Sequence, residues 1–223
     1  MKAGPPTSEK PCASPEPKLD PTGAEKGVLY AGIVNDLRVI SGARGRTCIF
    51  KLDDGSEFDT LVVSSGPQTV ATIDLTNPEA VLWYRTLLHK ALDLGYDGWM
   101  LDFGEYIPQR ALMFDGSTGW EAHNAFPTLY TRVVFEALRD FRGDDFMFFA
   151  RAGFVGSQAY TPVLWSGDPA ASYDNEKGLP AQVRAAINAG LSGFPFWGSD
   201  ISGYACLIDP PPDKTLYLRW AEF

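Results

Sequence analysis

From residue 69 onward, the chain alternates between short continuous apolar runs and stretches whose apolar residues recur every three or four positions. The continuous runs are typical of buried strands and fall at 70–74, 98–101, 146–150, 162–165 and 193–197. The periodic stretches predict one helix that begins at Asn77-Pro78 and ends near Gly95, a second across 126–141, and a third across 179–189. Repeated strand and helix units of this kind predict a parallel sheet covered by helices.

The first 68 residues have a different pattern. Residues 1–26 contain six prolines among Ser, Glu and Lys, with little to bury, and are interpreted as a flexible arm or loop. Short strand-like runs follow at 28–33, 47–52 and 58–63, separated by Gly and Asp turn signals. The sequence therefore predicts three segments: the arm at 1–26, a small β-rich excursion at 27–68, and a strand-helix core at 69–223.

Charged side chains follow the predicted strands at their C-terminal ends. They are Asp102, Glu105, Arg151, Asp168 and Asp200. A (β/α)₈ barrel assembles its active site at this edge, and the glycine-rich nucleotide loops expected of many open sheets are missing from the sequence. A whole barrel needs about 250 residues and eight strands. We therefore expect an α/β fold, a partial (β/α)₈ TIM barrel of about strands 3 to 7, and interpret the sequence as a fragment.

Charge and composition exclude several functions. The net charge of −9, with scattered Lys and Arg, argues against nucleic acid or an anionic membrane as a partner. The three cysteines and two histidines show no metal-ligand spacing, so we expect no metal and no cofactor. With no apolar run near the roughly 20 residues of a membrane span and no visible signal peptide, we expect a soluble protein. The sequence indicates neither its compartment nor its oligomeric state.

Two aspartates at strand ends are candidates for paired carboxylate chemistry. Cleavage of a glycosidic bond needs one carboxylic acid to protonate the leaving oxygen and one carboxylate at the anomeric carbon. Asp102 lies among aromatic residues suited to stacking on a sugar, and Asp168 lies in a Gly-containing loop. Taken singly, an aspartate placed like Asp102 is more often a helix cap or turn residue, and Asp168 is equally explained as a turn residue.

Five stretches, in order along the chain, resemble glycoside hydrolase family 31. They are residues 74–80, 97–108, 151–158, 165–168 and 198–204. The resemblance implies a carbohydrate substrate, with Asp102 as the nucleophile and Asp168 as the general acid/base of a retaining α-glycosidase. It also implies that Asp168 is held protonated by an apolar, like-charged setting while Asp102 stays ionised beside Arg151.

The same resemblance assigns further residues to the sugar subsite. Arg151, Trp165 and Tyr204 match positions that line it, and Asp200 matches a carboxylate that orients Arg151. Phe103 stands beside the nucleophile, and Glu105 belongs to the nucleophile signature. Trp99 is a candidate sugar contact, with core packing as the alternative.

Three functions remain open from the sequence. The motifs resemble a family branch that holds both α-glucosidases and sulfoquinovosidases, and Tyr204 matches a position that helps bind the sulfonate in the latter. Members of the family also carry a β-sandwich and earlier barrel strands, and a final strand with a substrate-binding histidine, which this sequence lacks. His89 and His123 fall on helical sequence away from strand ends and are not expected to replace it. An inactive partial barrel or sugar-binding fragment is therefore the third candidate.

Overall fold

The computed structural model describes residues 38–40, 49–56, 58–62, 68–204 and 211–223. The predicted arm at 1–26 and the strand predicted at 28–33 lie outside these residues. The strands are β1 Arg38–Ile40, β2 Lys51–Leu52, β3 Asp59–Val62, β4 Gln68–Thr72, β5 Met100–Leu101, β6 Ala111–Leu112, β7 Phe149–Ala150, β8 Val163–Trp165 and β9 Trp197–Gly198. The helices are α1 Pro78–Asp93, α2 Gly119–Arg142, α3 Leu179–Leu191 and α4 Lys214–Glu222.

Helix starts follow from local side-chain chemistry. The Asn77 side chain accepts a hydrogen bond of 2.9 Å from the Glu79 amide at the start of α1, with Pro78 in the first turn, as predicted. At the start of α2, Glu121 accepts a 2.8 Å hydrogen bond from the Thr118 amide. Glu121 is exposed to solvent and completes a capping box with Thr118.

Four of the five predicted core strands form one parallel sheet in the order β5-β7-β8-β9. The register pairs Leu101 with Ala150, Ala150 with Leu164, and Trp165 with Gly198. Consecutive parallel strands separated by helical or looped crossovers give the α/β architecture of a partial barrel. The carboxyl ends of these four strands lie along one edge.

The remaining predicted core strand, at 70–74, joins a different sheet. It corresponds to β4, which pairs antiparallel with β1 on one side and β3 on the other. A short apolar run reads the same in a parallel and an antiparallel sheet, so the pattern alone predicts burial and not pairing direction. The expectation of a parallel partner for this strand is therefore wrong for the described residues.

Asp74, just after β4, connects this region to the rest of the chain. Its carboxylate is almost fully buried and accepts hydrogen bonds from the amide and hydroxyl of Thr76 and from the amide of Phe114, at 2.9, 2.6 and 2.7 Å. Burial raises the pKa of Asp74, and the three donors act against that rise. Asp74 thus fixes the start of α1 to the loop that precedes α2.

The main core lies between the helices α1 and α2 and the strands beneath them. The predicted apolar faces are buried, including Tyr84 and Leu88 of α1 and Tyr130 and Val134 of α2. The rings of Tyr84 and Tyr130 pack with centroids 6.4 Å apart. Among the described helices, none is both long and apolar enough to cross a membrane.

Candidate active site

Four charged residues meet at the carboxyl edge of the parallel sheet, as the sequence predicts. Asp102 directly follows β5, Arg151 directly follows β7, and Asp168 and Asp200 follow β8 and β9 within three residues. Because the strands are parallel and adjacent, their ends deliver these side chains to one face.

Arg151 is the central cation of this group. Its Nη1 lies 3.1 Å from Oδ1 of Asp102, and its Nε and Nη2 donate to Oε1 of Glu105 at 2.9 and 2.7 Å. The guanidinium also stacks 4.1 Å from the centroid of the Phe103 ring. The Arg151 side chain is only 13% exposed, so these contacts hold it in one position with little competition from water.

Asp102 is held in place from several directions. Its Oδ1 accepts a 2.8 Å hydrogen bond from the Phe103 amide, and its backbone carbonyl accepts one of 3.3 Å from the Tyr130 hydroxyl. Burial raises the pKa of Asp102, and the neighbouring carboxylates of Asp168 and Glu105 raise it further. The Arg151 charge and the Phe103 amide act in the opposite direction.

The backbone after Asp102 adopts a conformation that most residues avoid. Phe103 has a φ of 61°, and Gly104 follows with a φ of 102°. A Cβ atom at Gly104 would lie 2.7 Å from Cδ1 of Tyr130. Left-handed backbone at a bulky residue costs free energy and is concentrated at functional sites. This turn places the Phe103 ring against Arg151 while Glu105 reaches the same guanidinium.

Asp168 is an exposed residue in the loop after β8, and it faces the same group. Its charge raises the pKa of both Asp102 and Asp200, so its carboxylate is within electrostatic reach of each. The like-charged neighbours expected around Asp168 are therefore present. The expected apolar surroundings are wrong, because Asp168 is exposed to solvent. Gly167, with a φ of 76°, turns the chain next to the Arg151 side chain.

Asp200 and Tyr204 belong to the loop after β9. The Tyr204 amide donates a 2.9 Å hydrogen bond to the carbonyl of Pro169, which joins this loop to the one that carries Asp168. Burial raises the pKa of Asp200, and Trp165 beside it acts against that rise. The expected pairing of Asp200 with Arg151 is wrong: the ion pairs of Arg151 are with Asp102 and Glu105.

The aromatic candidates differ in their environments. Tyr204 is 58% exposed and free to meet a ligand, whereas Trp165 is 5% exposed and packs edge-on against Phe149. Trp99 packs against the hydrophobic core and does not line the cleft described next. Its environment matches the core-packing alternative and not a sugar contact. The structure therefore brings Phe103, Trp165 and Tyr204 to the carboxyl edge and leaves Trp99 in the core.

A cleft of about 440 Å³ opens at this edge. Its walls combine the acidic and basic residues of the site with residues of α2. The lining residues are Glu105, Tyr106, His123, Asn124, Pro127, Arg151, Ala152, Gly153, Ser166, Gly167 and Asp168. His123 lies on a helix, as expected, but it reaches the cleft, which the sequence pattern did not indicate.

His123 and Asn124 are thus site residues that the sequence reasoning missed. Both are on the first turns of α2, and the loop between β6 and α2 returns them to the sheet edge. Within the described residues, no group of three or more His, Cys, Asp or Glu is arranged to hold a metal ion.

Comparisons with known proteins agree with this architecture. The family model described as the glycosyl hydrolases family 31 TIM-barrel domain matches residues 27–223. The sulfoquinovosidase of Escherichia coli strain K12 is 39% identical over 153 residues, covering 68% of this chain and 23% of that protein. The sulfoquinovosidase of Agrobacterium fabrum is 32% identical over 210 residues, covering 89% of this chain and 31% of that protein.

One further relative and one solved structure extend the comparison. The alpha-xylosidase of Emericella nidulans is 36% identical over 196 residues, covering 87% of this chain and 24% of that protein. A family 31 sulfoquinovosidase from E. rectale, solved with an aza-sugar inhibitor, superposes with a TM-score of 0.72 and 36% identity, covering 78% of this chain and 26% of that one. The chain spans between 23% and 31% of the length of these curated relatives.

Proposed function

The chain belongs to glycosyl hydrolase family 31, and we propose that it carries the catalytic centre of a retaining α-glycosidase. The observation that carries this proposal is the meeting of Asp102, Arg151 and Asp168 at one sheet edge beside an open cleft. In this proposal Asp102 is the nucleophile and Asp168 is the general acid/base.

In the first step, a carboxylate oxygen of Asp102 forms a bond to the anomeric carbon of the bound sugar. The bond between that carbon and the leaving-group oxygen breaks, and Asp168 donates its proton to that oxygen. In the second step, Asp168 removes a proton from water, the water oxygen bonds to the anomeric carbon, and the ester to Asp102 breaks. Two inversions return the original anomeric configuration.

Arg151 supports this chemistry electrostatically. Its guanidinium, 3.1 Å from Asp102, lowers the pKa of a largely buried carboxylate whose pKa is raised by burial and by two like charges, and so favours the ionised form. Glu105 holds the other side of the guanidinium and so fixes its position. The proposed sugar contacts are Phe103 and Tyr204. Trp165 and Asp200 are proposed to support the sugar subsite from the neighbouring strand ends.

A sulfoquinovosidase is the second candidate within the same family. It is favoured by the two relatives and the solved structure that carry this name, and by an exposed Tyr204 at the position discussed above. The third candidate is the inactive partial barrel considered from the sequence. In the described residues, β5 and β9 each have one edge without a strand partner in the parallel sheet.

The test is hydrolysis of two aryl glycosides by the purified 223-residue chain, 4-nitrophenyl α-glucoside and 4-nitrophenyl α-sulfoquinovoside. We expect turnover of at least one, with the α-anomer released first in a proton NMR time course. Release of the β-anomer contradicts retention, and turnover of neither supports the inactive barrel. If only the sulfoquinovoside is turned over, Tyr204→Phe is expected to lower its kcat/KM by about tenfold, since one hydrogen bond to a charged group is lost.

A further inference from the structure

A second, smaller hydrophobic cluster lies outside the main core and joins α3 to α4. It is formed by the buried residues Leu179, Leu216 and Trp220, with Val183 packed against them. Leu179 is the first residue of α3, and Leu216 and Trp220 belong to α4. The Asp213 side chain caps α4 by accepting a 2.7 Å hydrogen bond from the Leu216 amide. The cluster therefore fixes α4 against the beginning of α3.

The indole of Trp220 connects this cluster to the loop after β9. The side chain is 2% exposed, and its Nε1 donates a hydrogen bond of 2.8 Å to Oγ of Ser199. Ser199 lies between the end of β9 and Asp200. The Gly203 amide then donates a 2.9 Å hydrogen bond to the carbonyl of Asp200, which closes the loop into a turn. The position of this turn therefore depends on the hydrogen bond between Trp220 and Ser199.

The turn packs directly on the loop that carries Asp168. A Cβ atom added to Gly203 would lie 2.6 Å from Cα of Ala171, so the two loops meet backbone to backbone. The Tyr204 amide donates its 2.9 Å hydrogen bond to the carbonyl of Pro169, the residue after Asp168. Because Asp168 is exposed, its position depends on the backbone of its loop and little on packing around its side chain. The turn after β9 is therefore a support for Asp168.

We propose that Trp220 and Ser199 are positioning residues for the general acid/base, and that the hydrogen bond between them holds Asp168 in place through the turn after β9. This inference rests on the proposed function. Neither residue lines the cleft, and neither takes part in bond making or breaking. A general acid must stand within hydrogen-bond reach of the leaving oxygen, so a small displacement of its loop slows protonation.

The test compares a disaccharide, whose leaving group must be protonated, with a glycosyl fluoride of the same glycone, whose leaving group needs no general acid. For Ser199→Ala and Trp220→Phe, we expect kcat/KM on the disaccharide to fall about tenfold. On the fluoride it should fall no more than about threefold, a loss that reflects the displaced Tyr204. Ser199→Thr keeps the hydroxyl and should recover most of the activity. Ser192→Ala, which removes a serine hydroxyl bonded at 2.8 Å at the end of α3, is the matched control and should change neither.

Equal losses on both substrates, or no loss on either, overturn the inference while leaving the proposed function standing. If the unmodified chain hydrolyses neither substrate, the proposed function fails, and amide hydrogen exchange decides the support of the Asp168 loop separately. The Tyr204 amide is expected to exchange at least about fivefold faster in Ser199→Ala and Trp220→Phe, while the Leu88 amide in the main core keeps its rate. An unchanged rate at Tyr204, or equal acceleration at Leu88, overturns the inference in either case.

Discussion

Arg151 and Asp102 form an ion pair of 3.1 Å between Nη1 and Oδ1 with both side chains largely buried, at 13% and 17% exposure. Arg151 simultaneously donates twice to Glu105. One cation therefore holds two acidic side chains that would otherwise repel each other at the carboxyl edge of the sheet. The behaviour of the site depends on this shared cation.

Replacement of this cation is expected to impair both activity and stability. Arg151→Met leaves two partly buried carboxylates without their partner, which costs about 2–4 kcal/mol of unfolding free energy and at least about 100-fold in kcat/KM. Arg151→Lys keeps the charge but loses the forked geometry, so its losses of activity and stability should lie between zero and those of Arg151→Met. Urea unfolding and aryl glycoside kinetics measure the two effects.

Arg110→Met is the matched control for this change. Arg110 also bonds two carboxylates, Asp53 and Asp54, but it is exposed and does not line the cleft. We expect activity and stability close to those of the unmodified chain, because exposed ion pairs contribute little. A loss as large as that of Arg151→Met would mean that arginine replacement is harmful for reasons unrelated to the site.

The acid limb of the pH profile is expected to follow Asp102. Burial and the charges of Asp168 and Glu105 raise its pKa, so kcat/KM should decline, as pH falls, at a pH above the ordinary aspartate value of about 3.9. Glu105→Gln removes one of the charges that raise the pKa and also frees Arg151 from Glu105. Both changes favour the ionised form of Asp102, so the acid limb should move to lower pH. A shift to higher pH would contradict the electrostatic account.

Gly104 is expected to be intolerant of any side chain. Gly104→Ala adds a Cβ 2.7 Å from Tyr130 at a φ of 102°, so both steric overlap and backbone strain apply. We expect the free energy of unfolding to fall by about 2–4 kcal/mol and the activity to be lost as well. Gly55→Ala provides the comparison, because its φ is 82° and its Cβ would meet no atom within 4 Å. The difference between the two unfolding free energies isolates the overlap with Tyr130. Equal losses would show that strain alone accounts for both.

Removal of the Asp168 carboxyl should slow the hydrolysis of a substrate most when its leaving group must be protonated. Asp168→Ala is expected to lose about 10³-fold in kcat/KM on a disaccharide, whose leaving group must be protonated, and far less in the first step on a glycosyl fluoride. Added azide should then accelerate turnover of the fluoride and yield an α-glycosyl azide, since azide attacks without a general base. Loss of the same size on both substrates, with no azide product, assigns another role to Asp168.

Much of the site follows from the sequence because strand ends can be located from apolar runs. The placement of Asp102, Arg151, Asp168 and Asp200 at one edge needs only four parallel strands in order. The partner of Arg151 was predicted wrongly because Glu105 and Asp200 both follow strand ends. Only the left-handed turn at Phe103 and Gly104 decides that Glu105 reaches the guanidinium.

Other features lie beyond what a pattern of apolar residues encodes. His123 reaches the cleft because its ring is tied to the carbonyl of Ile107, sixteen residues earlier, and no spacing rule reports such a contact. The antiparallel pairing of β4 and the exposure of Asp168 likewise depend on how separate segments meet. The boundary predicted between residues 68 and 69, and the arm at 1–26, stay predictions.

The most direct test of the central claim is capture of the covalent intermediate. With a 5-fluoro-α-glycosyl fluoride, the ester between the sugar and the nucleophile forms quickly and is hydrolysed slowly. The labelled peptide can therefore be identified by mass spectrometry after digestion. We expect the mass of the sugar on the peptide that contains Asp102, and no label in Asp102→Asn. A label on a different residue, or turnover of the reagent without any covalent species, would contradict the assignment of Asp102 as the nucleophile.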